Sequence, residues 1–206
     1  MRTTILITIA ALTCAAGCKP SPSDPDSGIT LPDASQQDDA GPTCGDPGTG
    51  YGTSIGTNFV PFTLDSCDGT PFEFYGEEEG FCDARFTLVT AAAGWCVPCQ
   101  MEAALTEELI NEAYGPLGVR VVVVYIQDAS YDTPDQADCQ GWKDTYGLSN
   151  AVVYDPAQET NLYFPSGSIP ANLIVDSRGV IVHREYGVSP QLQTIRAKLD
   201  QLLAGE

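Results

Sequence analysis

Positive charge is what this chain has least of. Its 206 residues carry 9 lysines and arginines against 28 aspartates and glutamates, a net charge of −19. A surface this acidic repels phosphate backbones and excludes a nucleic-acid partner. Histidine is scarce as well: His183 is the only one. It stands in an alternating segment between Val182 and Arg184 and reads as a solvated or edge-strand residue. Long apolar runs are missing. Thr3 to Ala16 is an apolar or small-residue run of 14 residues, and a membrane-spanning helix needs roughly 20. There is no internal repeat. The hydrophobic fraction of 43% still supports a globular core, and the length suits one domain with tails.

The first 17 residues, with Arg2 ahead of the short apolar run, have the form of a signal peptide. They end in Ala15-Ala16-Gly17-Cys18. This tetrad resembles a bacterial lipobox, which implies lipidation of Cys18; an ordinary cleaved signal is the alternative. Residues 18–50 are rich in Pro, Ser, Asp and Gly. They have too few large apolar side chains to offset chain entropy, so they are expected to form a disordered linker. Export places the remainder, 51–206, where disulfides persist. With Asp24, Asp26, Asp33, Asp38, Asp39, Asp46, Arg2 and Lys19 set aside, that domain keeps a net charge of −15.

Within it, Phe59–Leu64 and Pro71–Tyr75 predict a hairpin about Asp68-Gly69. Phe86–Ala92 and Val119–Ile126 are apolar, β-branched-rich runs suited to buried strands. Val97–Tyr114 reads as a helix stopped by Gly115-Pro116. A second helix is expected to start with Thr133 as cap and Pro134 at its first position, and to end at Gly147. Ala151–Tyr154 is a strand, and Ala171–Asp176 and Val180–Tyr186 form a second hairpin. Ser189 caps a final helix striped by Leu192, Ile195, Leu199 and Leu202. The order predicts an α/β fold, a mixed sheet with parallel central strands, helices on both faces and an added N-terminal hairpin.

The chemistry is carried by Trp95-Cys96-Val97-Pro98-Cys99, at the junction of a buried strand and a helix. Cysteines at i and i+3 in a helix's first turn face one side and can close a small ring. At the N-terminus, free N–H groups and the helix dipole favour a thiolate, below the roughly 8.5 of an ordinary thiol. Cys96 is the expected exposed attacking thiolate, and Cys99 the resolving thiol.

From Tyr51 onward the chain resembles the thioredoxin superfamily, specifically the exported TlpA/ResA-type thiol–disulfide oxidoreductases. The resemblance rests on the hairpin, on Trp95 to Cys99, and on Gly167-Ser168-Ile169-Pro170 before Ala-Asn-Leu-Ile-Val-Asp. It implies a thioredoxin-like fold with no bound cofactor. It also implies a cis-proline at Pro170 lying against the active-site disulfide, and an Ile169 backbone that pairs with substrate. Trp95 and Pro98 are the further substrate-contact candidates. Glu102 matches a glutamate implicated in proton handling; its plainer reading is an acid complementing the helix dipole. Thr90 stands where thioredoxins carry a buried aspartate, and Ala91-Ala92-Ala93 replaces bulkier residues. The implied partners are protein thiols and disulfides, an upstream electron donor, and a membrane through the lipid. The tilt is toward reduction, and acidity favours partners with a neutral or basic face. A Sco-like copper chaperone is the alternative, using both thiolates and His183, although that family spaces its cysteines one residue further apart. The Pro-x-x-x-Thr-x-x-Cys pattern of peroxiredoxins is absent around Cys96.

Four cysteines remain as structural candidates. Cys67 and Cys82 flank the first hairpin, and a Cys67–Cys82 bridge is the first choice, worth about 3 kcal/mol in the chain-entropy model. Cys44 with Cys139 then follows by elimination. Cys44 free or in an intermolecular bond, and Cys139 as a buried apolar residue, stay open.

Overall fold

Among the described residues, seven strands form one sheet, in the spatial order 71–73, 63–66, 151–154, 119–127, 86–93, 171–176 and 181–186. The computed structural model describes residues 45–77, 79–164 and 168–205. The signal segment, Cys18 and Cys44 lie outside the described residues.

The hairpin β1 (Thr63–Ser66) and β2 (Pro71–Glu73) turns at Gly69, whose φ of +83° suits a residue without Cβ. The strands β3 (Phe86–Ala93), β4 (Val119–Gln127) and β5 (Ala151–Tyr154) run parallel at the centre. Both β3 and β4 are buried along most of their length, as continuous apolar runs require. The second hairpin, β6 (Ala171–Asp176) and β7 (Ile181–Tyr186), adds antiparallel strands beside β3. On the other side β1 pairs antiparallel with β5. Parallel strands at the centre and antiparallel ones outside them make the mixed sheet that the element order implied.

Among the described residues, three α-helices alternate with these strands or follow them. The helix α1 (Val97–Thr106) continues through a π-helical stretch, Glu107–Glu112. Next, α2 (Gln136–Tyr146) starts two residues later than expected. Asp135 is its cap rather than Thr133, because two carboxylates satisfy two orphan donors reciprocally. Asp138 N–H donates to Asp135 at 2.9 Å, and Asp135 N–H to Asp138 at 3.0 Å. Ser189 precedes a 3₁₀ turn, Pro190–Leu192, and α3 proper is Gln193–Ala204. Among the described residues no helix is long and apolar enough to cross a membrane.

The two faces of the sheet bury different chemistry. Leu88, Thr90 and Ala92 of β3 share a small cavity with Cys99, Glu102, Ala103 and Thr106 of α1, Trp142 of α2 and Leu192. On the other face lies an aromatic cluster, with Phe59 stacked on Tyr163 at 4.2 Å and tilted against Phe74 at 4.5 Å. That face receives the short 3₁₀ helix Glu159–Tyr163. The Arg120 guanidinium sits 5.3 Å from the Phe74 and Phe81 rings and donates to Thr87 Oγ1 and to the Glu79 and Phe74 carbonyls. Burial lowers its pKa to about 10.

The expected disulfide pairing changes. The Cys67–Cys82 bridge does not form; Cys67 is bonded to Cys139, 72 residues away, with Cα atoms 5.1 Å apart. The cause is the sheet. Pairing of Asp65 with Tyr154 and Ser66 with Val153 brings the end of β1 to β5, against which α2 packs. Both sulfurs lie against the Val152 carbonyl oxygen, at 3.3 and 3.6 Å. Cys82 is disulfide-bonded as well, but to neither Cys67 nor Cys139. Near the start of the described residues, 46–50 make defined contacts. Asn58 N–H donates to the Gly50 carbonyl at 2.9 Å, and its side-chain amide to Thr49 at 2.6 Å.

Candidate active site

The site begins where β3 ends. Gly94 N–H donates to the Gln127 carbonyl at 2.9 Å. A Cβ on Gly94 would lie 2.4 Å from the Tyr125 hydroxyl and 2.6 Å from the Ala129 nitrogen. Only glycine lets the loop after β4 press against this strand end. The chain then turns into α1, with Cys96 as its cap in extended conformation and Pro98 in the first turn, where a missing N–H breaks no bond.

Cys96 and Cys99 are joined, with Cα atoms 5.2 Å apart. Cys99 N–H donates to Cys96 Sγ at 3.2 Å, so the sulfur sits on the unpaired donors of the helix start. Cys96 is 3% exposed, not openly exposed as expected. As cap and disulfide partner its sulfur folds back over the helix instead of pointing outward. The exposure falls on its neighbours Val97 and Met101.

Glu102 lies beneath the pair. It is 6% exposed, and its carboxylate faces inward rather than along the helix dipole. Ser189 N–H donates to Oε1 at 2.8 Å, and the Asn172 amide to Oε2 at 3.1 Å. Burial raises the pKa of the carboxyl above the ordinary value, and the Glu185 charge adds to this; the two donors oppose it. Glu102 and Cys99 line the same cavity of about 20 Å³, together with Thr90, Trp142, Pro170 and Asn172. The Trp142 indole N–H is buried and has no hydrogen-bond partner.

The Ile169–Pro170 bond is cis, and Pro170 stands beside Cys99 in the cavity wall. Trp95 is half-buried. Its indole N–H donates to the Gln127 side-chain carbonyl at 3.1 Å, and its ring stacks on Tyr131 at 4.8 Å. The sequence singled out Ser189 only as a helix cap, and Asn172, Gln127, Tyr131 and Trp142 not at all. Asn172 had a usable signal: two residues past Pro170, it returns to the same face of the strand.

His183 is elsewhere. It pairs with Ile174, which pairs with Leu88, five residues before the end of β3. That register puts it roughly 16 Å down the sheet from the end of β3 that leads into the cysteines, beside Glu185 at 3.3 Å. The strand geometry separates the imidazole from the two sulfurs that a copper site would need it to join.

A family model described as Redoxin matches residues 59–203. The chain belongs to the Redoxin family. With a closed Cys96–Cys99 pair at the start of α1, this Redoxin domain is a thiol–disulfide oxidoreductase. Comparison with curated proteins gives no match. Among solved structures, an uncharacterized conserved protein from Geobacillus kaustophilus aligns with a TM-score of 0.62 at 22% identity, over 76% of this chain and 85% of its own. A Chlorobium tepidum protein given the name thiol:disulfide interchange protein DsbE aligns with 0.59 at 18%, over 75% and 98%. A secreted Mycobacterium tuberculosis disulfide oxidoreductase, homologous to E. coli DsbE, aligns with 0.52 at 17%, over 70% and 96%. At such identities the likeness is one of fold, and the fold is thioredoxin-like.

Proposed function

We propose that this Redoxin domain works outside the cytoplasm, tethered through a lipid on Cys18, as a reductase of disulfides in protein substrates. The Cys96 thiolate attacks a substrate sulfur, forming a mixed disulfide and expelling the partner sulfur as a thiolate. The Cys99 thiol then passes its proton toward Glu102 and attacks Cys96 Sγ. A Cys96–Cys99 bond forms, the bond to substrate breaks, and the substrate leaves reduced. An upstream dithiol donor returns two electrons and reopens the pair. Trp95, Pro98, Ile169 and Pro170 frame the approach, with the Ile169 backbone free to pair with an extended substrate segment.

The observation that carries this reading is the buried Glu102 carboxylate in the cavity beneath Cys99. It supplies a proton acceptor for the resolving thiol. Its negative charge also disfavours thiolates close by. A dithiol that is poorly stabilised gives up its electrons readily, whereas a strong oxidant stabilises its reduced form.

Equilibration with glutathione redox buffers tests the direction. The pair is expected to have a potential well below the roughly −180 mV of protein disulfide isomerase, and Glu102→Gln to raise it. A potential near the roughly −120 mV of DsbA overturns the reductase reading. A Cys99→Ser variant that retains no disulfide-linked protein overturns protein substrates.

A further inference from the structure

The loop after β4 presents a feature that the exchange chemistry does not use. Tyr131 is 63% exposed and has φ of +68°, a left-handed conformation that is strained for a bulky residue. Three contacts hold it there. Its N–H faces the Asp128 carbonyl at 3.4 Å. Its carbonyl accepts from the Gln127 side-chain amide at 3.0 Å, while the same Gln127 accepts from Trp95. The Asp128 carboxylate ties the loop by accepting from Ser130 and Asp132 N–H groups. The glycine at 94 lets this loop close onto the strand end. The result is a rigid aromatic pair, Trp95 against Tyr131 with ring planes 15° apart, next to Cys96. Trp95 takes one face of the Tyr131 ring, and the exposure leaves the other open. A strained, exposed aromatic adds little to a core, and stacked on Trp95 beside Cys96 it is placed where a substrate arrives.

We propose that Tyr131, backed by Trp95, is the docking surface for an apolar or aromatic side chain beside the cysteine of a basic substrate segment. This rests on the reductase reading and specifies its substrate class. The apolar requirement comes from the open ring face, continued past the cysteines by the exposed Val97 and Met101. The basic requirement comes from charge. The loop and helix start that carry Tyr131, from Val121 to Trp142, hold Asp128, Asp132, Asp135 and Asp138 and no lysine or arginine. A segment with a ring to stack and cations to meet these acids is complementary on both counts.

Pre-reduced protein is mixed with disulfide-linked dimers of the peptides Lys-Phe-Cys-Lys, Lys-Ala-Cys-Lys or Glu-Phe-Cys-Glu, or with hydroxyethyl disulfide. Each turnover oxidises Cys96 and Cys99 to their disulfide and releases two thiols. The Lys-Phe peptide is expected to react about fivefold to tenfold faster than the Lys-Ala peptide, and the Glu-Phe peptide more slowly than either. Tyr131→Gly erases the phenylalanine preference but leaves hydroxyethyl disulfide unchanged. Its melting temperature holds or rises, because glycine adopts this φ without strain. Tyr131→Phe keeps the preference. A preference that survives Tyr131→Gly overturns the docking role, as does a parallel loss with hydroxyethyl disulfide, which would place Tyr131 in the cysteine chemistry. A Glu-Phe peptide that reacts as fast as Lys-Phe overturns the basic partner. No reaction with any disulfide overturns the reductase reading itself, and the docking role with it.

Discussion

Two described disulfides in this molecule look alike by the usual measures. Their Cα atoms stand 5.2 and 5.1 Å apart, and all four cysteines are buried. Their surroundings differ. Cys96–Cys99 joins residues three apart at a helix start, with a peptide N–H on one sulfur and a buried carboxylate in the cavity beside the other. Cys67–Cys139 joins β1 to α2 across 72 residues, and its sulfurs meet the Val152 carbonyl. A carbonyl oxygen offers neither a proton nor stabilisation to a thiolate. Burial therefore does not separate a reactive disulfide from a structural one; donors, acceptors and loop length do.

The sharpest way to break this comparison is to remove each pair in turn. Cys96→Ser should abolish peptide-disulfide reduction, a loss on the order of a thousandfold or more, with little change in chemical denaturation. The Cys67→Ala/Cys139→Ala double variant should do the reverse. It should keep single-turnover exchange within about twofold and lose about 4 kcal/mol in urea unfolding, since the closed loop is long. A double variant that lost exchange first would give the second disulfide a share in the chemistry.

Glu102 is the next test, because it puts a buried carboxylate in the cavity beside Cys99. Its carboxyl is raised by burial, so the folded protein holds this proton more tightly than the unfolded chain does. The stability it contributes is full below the ordinary glutamate pKa and is lost as pH rises through the raised value. Glu102→Gln buries no charge and should escape that loss, flattening this part of the stability–pH curve. For exchange the direction is opposite. Resolution needs the unprotonated carboxylate, so the wild-type rate should fall as pH drops through the raised value. In Glu102→Gln this limb should vanish, with the rate about a hundredfold lower. A stopped-flow pH series on both proteins reads this.

The two disulfides also differ in how far they can be read from sequence. For the first, spacing, the preceding Trp95 and the strand-to-helix junction are all local, and α1 begins where those signals put it. The pairing of Cys67 is not local. It depends on β1 crossing to β5 and on α2 packing there, which no run of neighbouring residues encodes. Proximity in the chain favoured Cys82 for the same reason that it misleads generally: sheets bring distant segments together. The donors to Glu102 were missed similarly, since Asn172 and Ser189 reach it from β6 and the turn before α3. Tyr131 escaped because its left-handed backbone is imposed by Gln127, Asp128 and Gly94, against the preference of its own side chain.

The smallest effect is the one that asks whether the two regions communicate. Cys139 and Trp142 stand three residues apart on α2, and Trp142 lines the cavity under Cys99. The helix is held at its start by the Asp135–Asp138 box and, within its first two turns, by the disulfide at Cys139. Asp135→Ala alone should cost about 1 kcal/mol, because the disulfide still anchors the frayed turn. In the Cys67→Ala/Cys139→Ala background nothing anchors it, and the same substitution should cost measurably more, a coupling of at least about 0.5 kcal/mol in a double-mutant cycle. The indole N–H of Trp142 reports on the outcome. If fraying of α2 reaches the cavity, its NMR resonance should shift and exchange should slow in the combined variant only. An unmoved resonance beside a positive coupling energy would show that the second disulfide holds α2 without touching the chemistry of the first.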